Sequence, residues 1–144
     1  MKRAEGRRSF RPYYLYVLLL KLLPVVLSAA PLVAAAFPWG EMDEQALWGH
    51  VLWTPFLSGY RLKDVVLNVL VTLPVGLAAA AVIRRHPLLT AVGIATVVSV
   101  LCEWAQVYAP DRYPSGTDVV CNALGAATGV ALLEAGWPDW TARG

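Results

Sequence analysis

The sequence predicts an all-α fold: a four-span transmembrane helical bundle with a short interfacial helix in its first outer loop. Three observations carry that expectation. Of the 144 residues 58% are hydrophobic and only 15% are charged, with a mean hydropathy of +0.54, whereas a soluble domain carries about 25% charged residues. The apolar residues gather in four runs, each close to the roughly 20 residues that a helix needs to cross a hydrocarbon core. The Lys and Arg residues collect at the ends of those runs, as they do around membrane spans. The length allows a single domain over residues 1–144, and a net charge of +2 gives no argument for a nucleic-acid partner. Cys102 and Cys121 lie in apolar runs without a CxxC or a His/Cys pairing, so no metal, redox centre or cofactor is expected.

Taken in order, residues 1–12 hold Lys2, Arg3, Arg7, Arg8 and Arg11 against a single Glu5. The first span follows at 18–37, with Tyr13, Tyr14 and Tyr16 in an aromatic belt and Lys21 snorkelling to the near interface. A basic start before an apolar run is also how a secretory leader begins. This run is too long for a leader core, so an uncleaved first span is expected. Pro24 and Pro31 should kink it, which a bilayer permits where neighbours satisfy the freed carbonyls.

Residues 38–63 form the longest polar connection. Within it, 43–53 (DEQALWGHVLW) puts Leu47, Trp48, Val51 and Leu52 on one helical face and Glu44, Gln45 and His50 elsewhere, the pattern of a short helix lying in the interface. Pro55 ends that helix. The second span, 64–83, has Pro74 and Gly76 in its middle; Arg84, Arg85 and His86 follow it. Pro87 opens the third span, 88–108, and a polar turn leads to the fourth, 118–136, with Trp137 and Trp140 as interfacial anchors beyond it. Leaving Lys21 aside, eight Lys and Arg residues fall on the side of the termini and three on the other. That asymmetry predicts an inner (cytoplasmic) membrane protein with both termini in the cytoplasm.

This topology collects the polar residues at one depth. Asp64 and Asn68 open the second span, Glu103 and Gln106 close the third, and Asp118 and Asn122 open the fourth. All six belong to the outer leaflet. The pairs are spaced i,i+4 or i,i+3, so each pair shares one helical face. Reflecting the third and fourth spans about Arg112 and Tyr113 sets Glu103 opposite Asn122 or Ala123, and one helical turn of adjustment brings Glu103, Gln106 and Asn122 together. Arg112 is then the expected counter-ion for Glu103 or Asp118, and Arg61 or Lys63 for Asp64. The candidate ligand-binding set is therefore Asp64, Asn68, Glu103, Gln106, Arg112, Asp118 and Asn122.

Simpler roles stand beside that reading. Asp64 and Asp118 can be helix-end residues, with Thr117 or Ser115 capping the fourth helix. Asn68 and Asn122 can be interhelical hydrogen-bond links, worth about 0.6 kcal/mol each. Glu103 lies past the cap zone, where an ionisable group is costly, by roughly 2.5–3.5 kcal/mol on insertion scales, and so needs a reason. KDVVLNVLVTLPVGLAAA and TDVVCNALGAATGVALLE align at an offset of 54, which suggests two related helical hairpins. Gly125 and Gly129 form a GxxxG that allows close packing within the chain or, less favoured, an oligomer seam.

The string SVLCEWAQVYAPDRYPSGTDVVCNALGAATG, with NVLVTLPVGL and WTPF before it, resembles the VanZ-like membrane proteins, and the likeness runs from Leu52 to Leu133. The matching positions are Asn68, Pro74, Gly76, Glu103, Gln106, Arg112, Asp118, Asn122, Gly125 and Gly129. Between the Arg and the last Asp this chain has Ser115 and Thr117 where the family pattern has acids. The family takes its name from a protein linked to low-level resistance to the glycopeptide teicoplanin. The resemblance therefore implies a cell-envelope role. The expected partner is a membrane lipid: the polar cluster would bind a lipid-linked envelope precursor or a lipophilic glycopeptide. The alternatives are an intramembrane enzyme with Glu103 as general base, or a structural partner subunit. No nucleophile or metal group supports the first, and a binding module is the leading expectation.

Overall fold

Five α-helices and one 3-10 turn succeed one another along the described residues, 12–57 and 61–136, of the computed structural model. They are α1 (Pro12–Leu27), α2 (Ala30–Ala36), the 3-10 turn (Trp48–His50), α3 (Leu62–Val82), α4 (Pro87–Gln106) and α5 (Gly116–Gly136). The basic residues of 1–11, together with Trp137, Trp140 and Arg143, lie outside the described residues, as do the side chains of Tyr13 and Tyr14. Four stretches are long and apolar enough to cross a membrane: Leu19–Ala36, Leu62–Val82, Pro87–Gln106 and Gly116–Gly136. The chain is an all-helical, multi-pass membrane protein.

The first span is two helices in series. Pro24 is accommodated inside α1; the break comes after Leu27, four residues before Pro31. Pro31 has no N–H for the Leu27 carbonyl, and its ring would press against that oxygen. The chain closes the turn instead with Ser28 N–H on Pro24 O at 3.0 Å and Ser28 Oγ on Val25 O at 2.6 Å.

The short helix expected in the first outer loop is the single 3-10 turn Trp48–His50, and the flanking residues are irregular. Their backbone groups have other partners. Asp43 N–H donates to Tyr108 O at 2.6 Å, Leu47 N–H to Val107 O at 2.8 Å, and Leu52 N–H to Pro114 O at 2.8 Å, with Gly116 N–H returning to Leu52 O at 3.1 Å. Leu52 and Ser115 form an isolated parallel β-bridge. Residues 43–57 are thus laid as a strap across the α4–α5 connection, and the end of the bundle they cover is its loop end. At the opposite end α3 turns into α4 through His86, which is in the left-handed region (φ 55°).

The most intimate pairing is α3 with α5, followed by α4 with α5. Both α3 and α5 start at the loop end, so they run parallel. A methyl on Gly125 would collide with Thr72 Oγ1 and the Val69 carbonyl, one on Gly129 with the Leu73 carbonyl, and one on Gly76 would sit 2.8 Å from Gly129 Cα. The two backbones touch through these glycines, as small residues permit where lipid offers no hydrophobic drive between helices. The core below the loop end is correspondingly built of small side chains: Val25, Ala29, Val75, Ala79, Ala91, Ala95, Ala126 and Val130. Large apolar residues such as Leu23, Leu70, Leu101 and Leu132 face outward.

Candidate functional site

The residues that converge at the loop end come from four helix termini: the end of α2, the start of α3, the end of α4 and the start of α5. Each contributes unpaired backbone groups as well as side chains. Part of the polar set satisfies those groups. Gln106 Nε2 donates to Ala36 O, at the end of α2, at 2.6 Å. Glu103 Oε2 accepts the Ser115 N–H, just ahead of α5, at 2.6 Å. Ser115 caps the helix, its Oγ accepting the Thr117 N–H at 3.1 Å. Thr117 instead ties down the strap, with its Oγ1 accepting the Phe56 N–H at 2.9 Å.

The sequence-predicted set divides. Arg112, Asp64, Asn68, Gln106 and Asp118, joined by Arg61, line one cavity of about 480 Å³, and an adjoining one of about 420 Å³ shares Arg61, Asp64, Tyr113 and Asp118. Within it the Asn68 side chain faces the Asp118 carboxyl group, and Asp64 stands near the same carboxyl. Glu103 and Asn122 line neither cavity. Asn122 lies deeper, 1% exposed, and its Nδ2 donates to Ser99 Oγ at 2.9 Å. The meeting of Glu103, Gln106 and Asn122 does not occur; the three go to Ser115, Ala36 and Ser99. The reason is register: α4 presents Ser99, one turn before Glu103, to Asn122.

The expected ion pairs are also absent among the described residues. Neither Arg112 with Glu103 or Asp118, nor Arg61 or Lys63 with Asp64, closes a salt bridge. Glu103 has taken a backbone N–H, while Arg61, Arg112 and Lys63 are exposed. The cavity therefore combines two guanidinium groups that close no salt bridge among the described residues with three carboxyl groups, Asp64, Asp111 and Asp118, and two carboxamides. Its wall continues onto Ala35, Ala36 and Leu67 of the membrane-spanning helices. Such a wall can hydrogen-bond a polar group and leave an attached apolar chain in lipid.

Asp111 and Tyr113 line the cavity without a place in the sequence-based set; three tryptophans and the Ser99 hydroxyl, at the same end of the bundle, also have no place in it. Ser99 was legible as the residue one turn before Glu103 on the same helical face, and Trp104 as the neighbour of Glu103. Trp48 and Trp53 carried no such signal, because only the strap places them against α4. Both cysteines are free and buried.

A family model described as VanZ/LLP1 matches residues 13–136. No curated protein and no solved structure matches the chain.

Proposed function

The chain belongs to the VanZ/LLP1 family of membrane proteins, and from that premise we propose that its loop end binds the polar head group of a membrane amphiphile. The class is a lipid-linked envelope precursor or a lipophilic glycopeptide of the teicoplanin kind. In this reading the protein sits in the cytoplasmic membrane with both termini in the cytoplasm, and the loop end opens at the outer leaflet. The observation that carries it is the cavity of about 480 Å³ in which Arg61 and Arg112 close no salt bridge among the described residues, beside Asn68, Gln106, Asp64, Asp111 and Asp118. The arginines suit a phosphate or carboxylate, because guanidinium presents donors in a fork that matches either anion. The carboxamides and carboxyl groups suit sugar hydroxyls and peptide amides. Asn122 and Glu103 serve by fixing the helices that carry the cavity.

A general-base role for Glu103 draws no support from its geometry, since Oε2 is already hydrogen-bonded to the Ser115 N–H. The binding reading is tested by thermal unfolding in detergent of wild type, Arg112→Gln and Glu103→Gln, with and without teicoplanin or an undecaprenyl-linked precursor. A ligand at a hundred times Kd should stabilise wild type by about 2.7 kcal/mol and Arg112→Gln by far less, with Glu103→Gln still responding. Variants that melt lower while no ligand shifts any of the three would make the polar set a structural device and remove the binding site.

A further inference from the structure

The cavity of about 420 Å³ continues the arginine-lined one away from the lipid-facing wall. Ala35, Ala36, Leu67 and Arg112 border only the larger cavity, and Leu52, Val65 and Ser115 only the smaller. Arg61, Asp64, Tyr113 and Asp118 stand on the wall of both, so they mark the junction. The order from the lipid-facing wall is thus Arg112, the junction, then the strap. Tyr113 is held at that junction from two sides. The carbonyl of the next residue, Pro114, accepts the Leu52 N–H at 2.8 Å, and the His50 ring stacks on the phenol at 5.0 Å and 24°. With His50 on one face, Tyr113 is still 62% exposed, and its other face is left for the cavities. The Asp64 carboxyl group makes no hydrogen bond and no salt bridge among the described residues. Anion binding by Arg61 and Arg112 gives no reason for an open aromatic face, nor for carboxyl groups beside it.

We propose that this second compartment holds a sugar, so that the head group bound at the loop end is a glycosyl phosphate. The phosphate lies at Arg112 and Arg61, and the sugar one step further from lipid. This rests on the head-group reading above and narrows its ligand class. A sugar hydroxyl donates one hydrogen bond and accepts others. Asp64, Asp118 and Arg61, side by side, supply both kinds of partner to neighbouring hydroxyls. The C–H groups on one face of a pyranose are weakly positive and pack on the negative face of an aromatic ring, which Tyr113 provides. Other groups fit less of this wall. A second anion would meet the like charges of Asp64 and Asp118. An ammonium would lie against Arg61, which borders both compartments. An acyl chain would cover the carboxyl groups and leave them unpaired. Glycerol offers hydroxyls but no flat face for the ring. In a lipid-linked sugar the phosphate stands between chain and sugar, the same order in which the lipid-facing wall, the arginines and Tyr113 follow one another here.

The test uses the full chain in a polyoxyethylene detergent, which carries neither sugar nor phosphate, and calorimetric titration with three dodecyl phosphodiesters. Their second ester group is methyl, glyceryl or glucosyl, so chain and charge stay constant. The glucosyl diester should bind at least roughly tenfold more tightly than the methyl one, with the glyceryl diester nearer to methyl because it lacks the ring face. Tyr113→Leu should bring the glucosyl diester down to the affinity of the methyl one, whereas Tyr113→Phe keeps the ring and the preference. Asp64→Ala, at an exposed position, should also cut the preference by roughly tenfold, and it decides the question even if Tyr113→Leu loosens the strap. Arg112→Gln should weaken all three diesters alike. Equal affinity of wild type for the three overturns the sugar compartment and leaves the anion site standing. Failure of all three to bind removes the arginine-lined site and the sugar compartment with it. A preference that survives both Tyr113→Leu and Asp64→Ala overturns the placement of the sugar in this cavity.

Discussion

Asn122 donates to Ser99 at 2.9 Å, and its Oδ1 is buried without a partner among the described residues. Half of the carboxamide is therefore used. Interhelical hydrogen bonds in membranes contribute about 0.6 kcal/mol on average and at most about 1.7, because the unfolded chain in lipid also finds partners. A double-mutant cycle of Ser99→Ala and Asn122→Ala, read by reversible unfolding in detergent, should give a coupling in that range. A coupling near zero would make the contact incidental. That a polar group at Asn122 must face the interior was legible from the burial cost alone. Its partner was not, since reflecting the hairpin about Arg112 sets Glu103 there. The α4–α5 connection is not a symmetric turn. Its backbone pairs with the strap at Val107, Tyr108 and Pro114, and that pairing sets the helix register one turn away from the reflected one.

The α3–α5 pair shows what a helix-level reading recovers. The repeat at an offset of 54 relates Thr72 to Ala126 and Gly76 to Val130, and a methyl on Gly76 would lie 2.7 Å from Val130 N. Equivalent positions of two similar helices thus face each other, as parallel packing in register requires. The glycine seam was legible as a close-packing motif, and the structure directs Gly125 and Gly129 to α3 of the same chain. Gly129→Ala should lower stability by about 1–3 kcal/mol, the usual cost of overpacking, because the obstacle is the Leu73 backbone, not a movable side chain. Gly93 of α4 has open space around it, so Gly93→Ala should raise stability by roughly 0.5–1 kcal/mol through helix propensity. Thermal unfolding of the two variants in one detergent checks both signs. Equal effects would mean the seam is not a close contact.

At the scale of the molecule, the strap joins the helices to the loop end. It is fastened by backbone bonds to Val107, Tyr108 and Pro114, by Thr117 on the Phe56 N–H, and by the His50 ring stacked on Tyr113 at 5.0 Å. Thr117→Val keeps the shape and removes the acceptor, at a cost of about 0.5–1.5 kcal/mol. Hydrogen exchange should then quicken in residues 43–57 while the amides of α3, α4 and α5 keep their protection. A uniform rise across the helices would mean the strap is part of the global folding unit. The sequence by itself determined the number of spans, the gathering of polar residues at one end and the family pattern. Length, hydropathy and spacing carry those properties along the chain without reference to any neighbour. Only the tertiary structure decided which polar residues join helices and which line a cavity. In a membrane bundle both the lipid face and the interior are apolar, so periodicity marks no inward face sharply. Helix rotation and register are then set by a few close contacts, the glycine seam and the strap, between residues far apart in the chain.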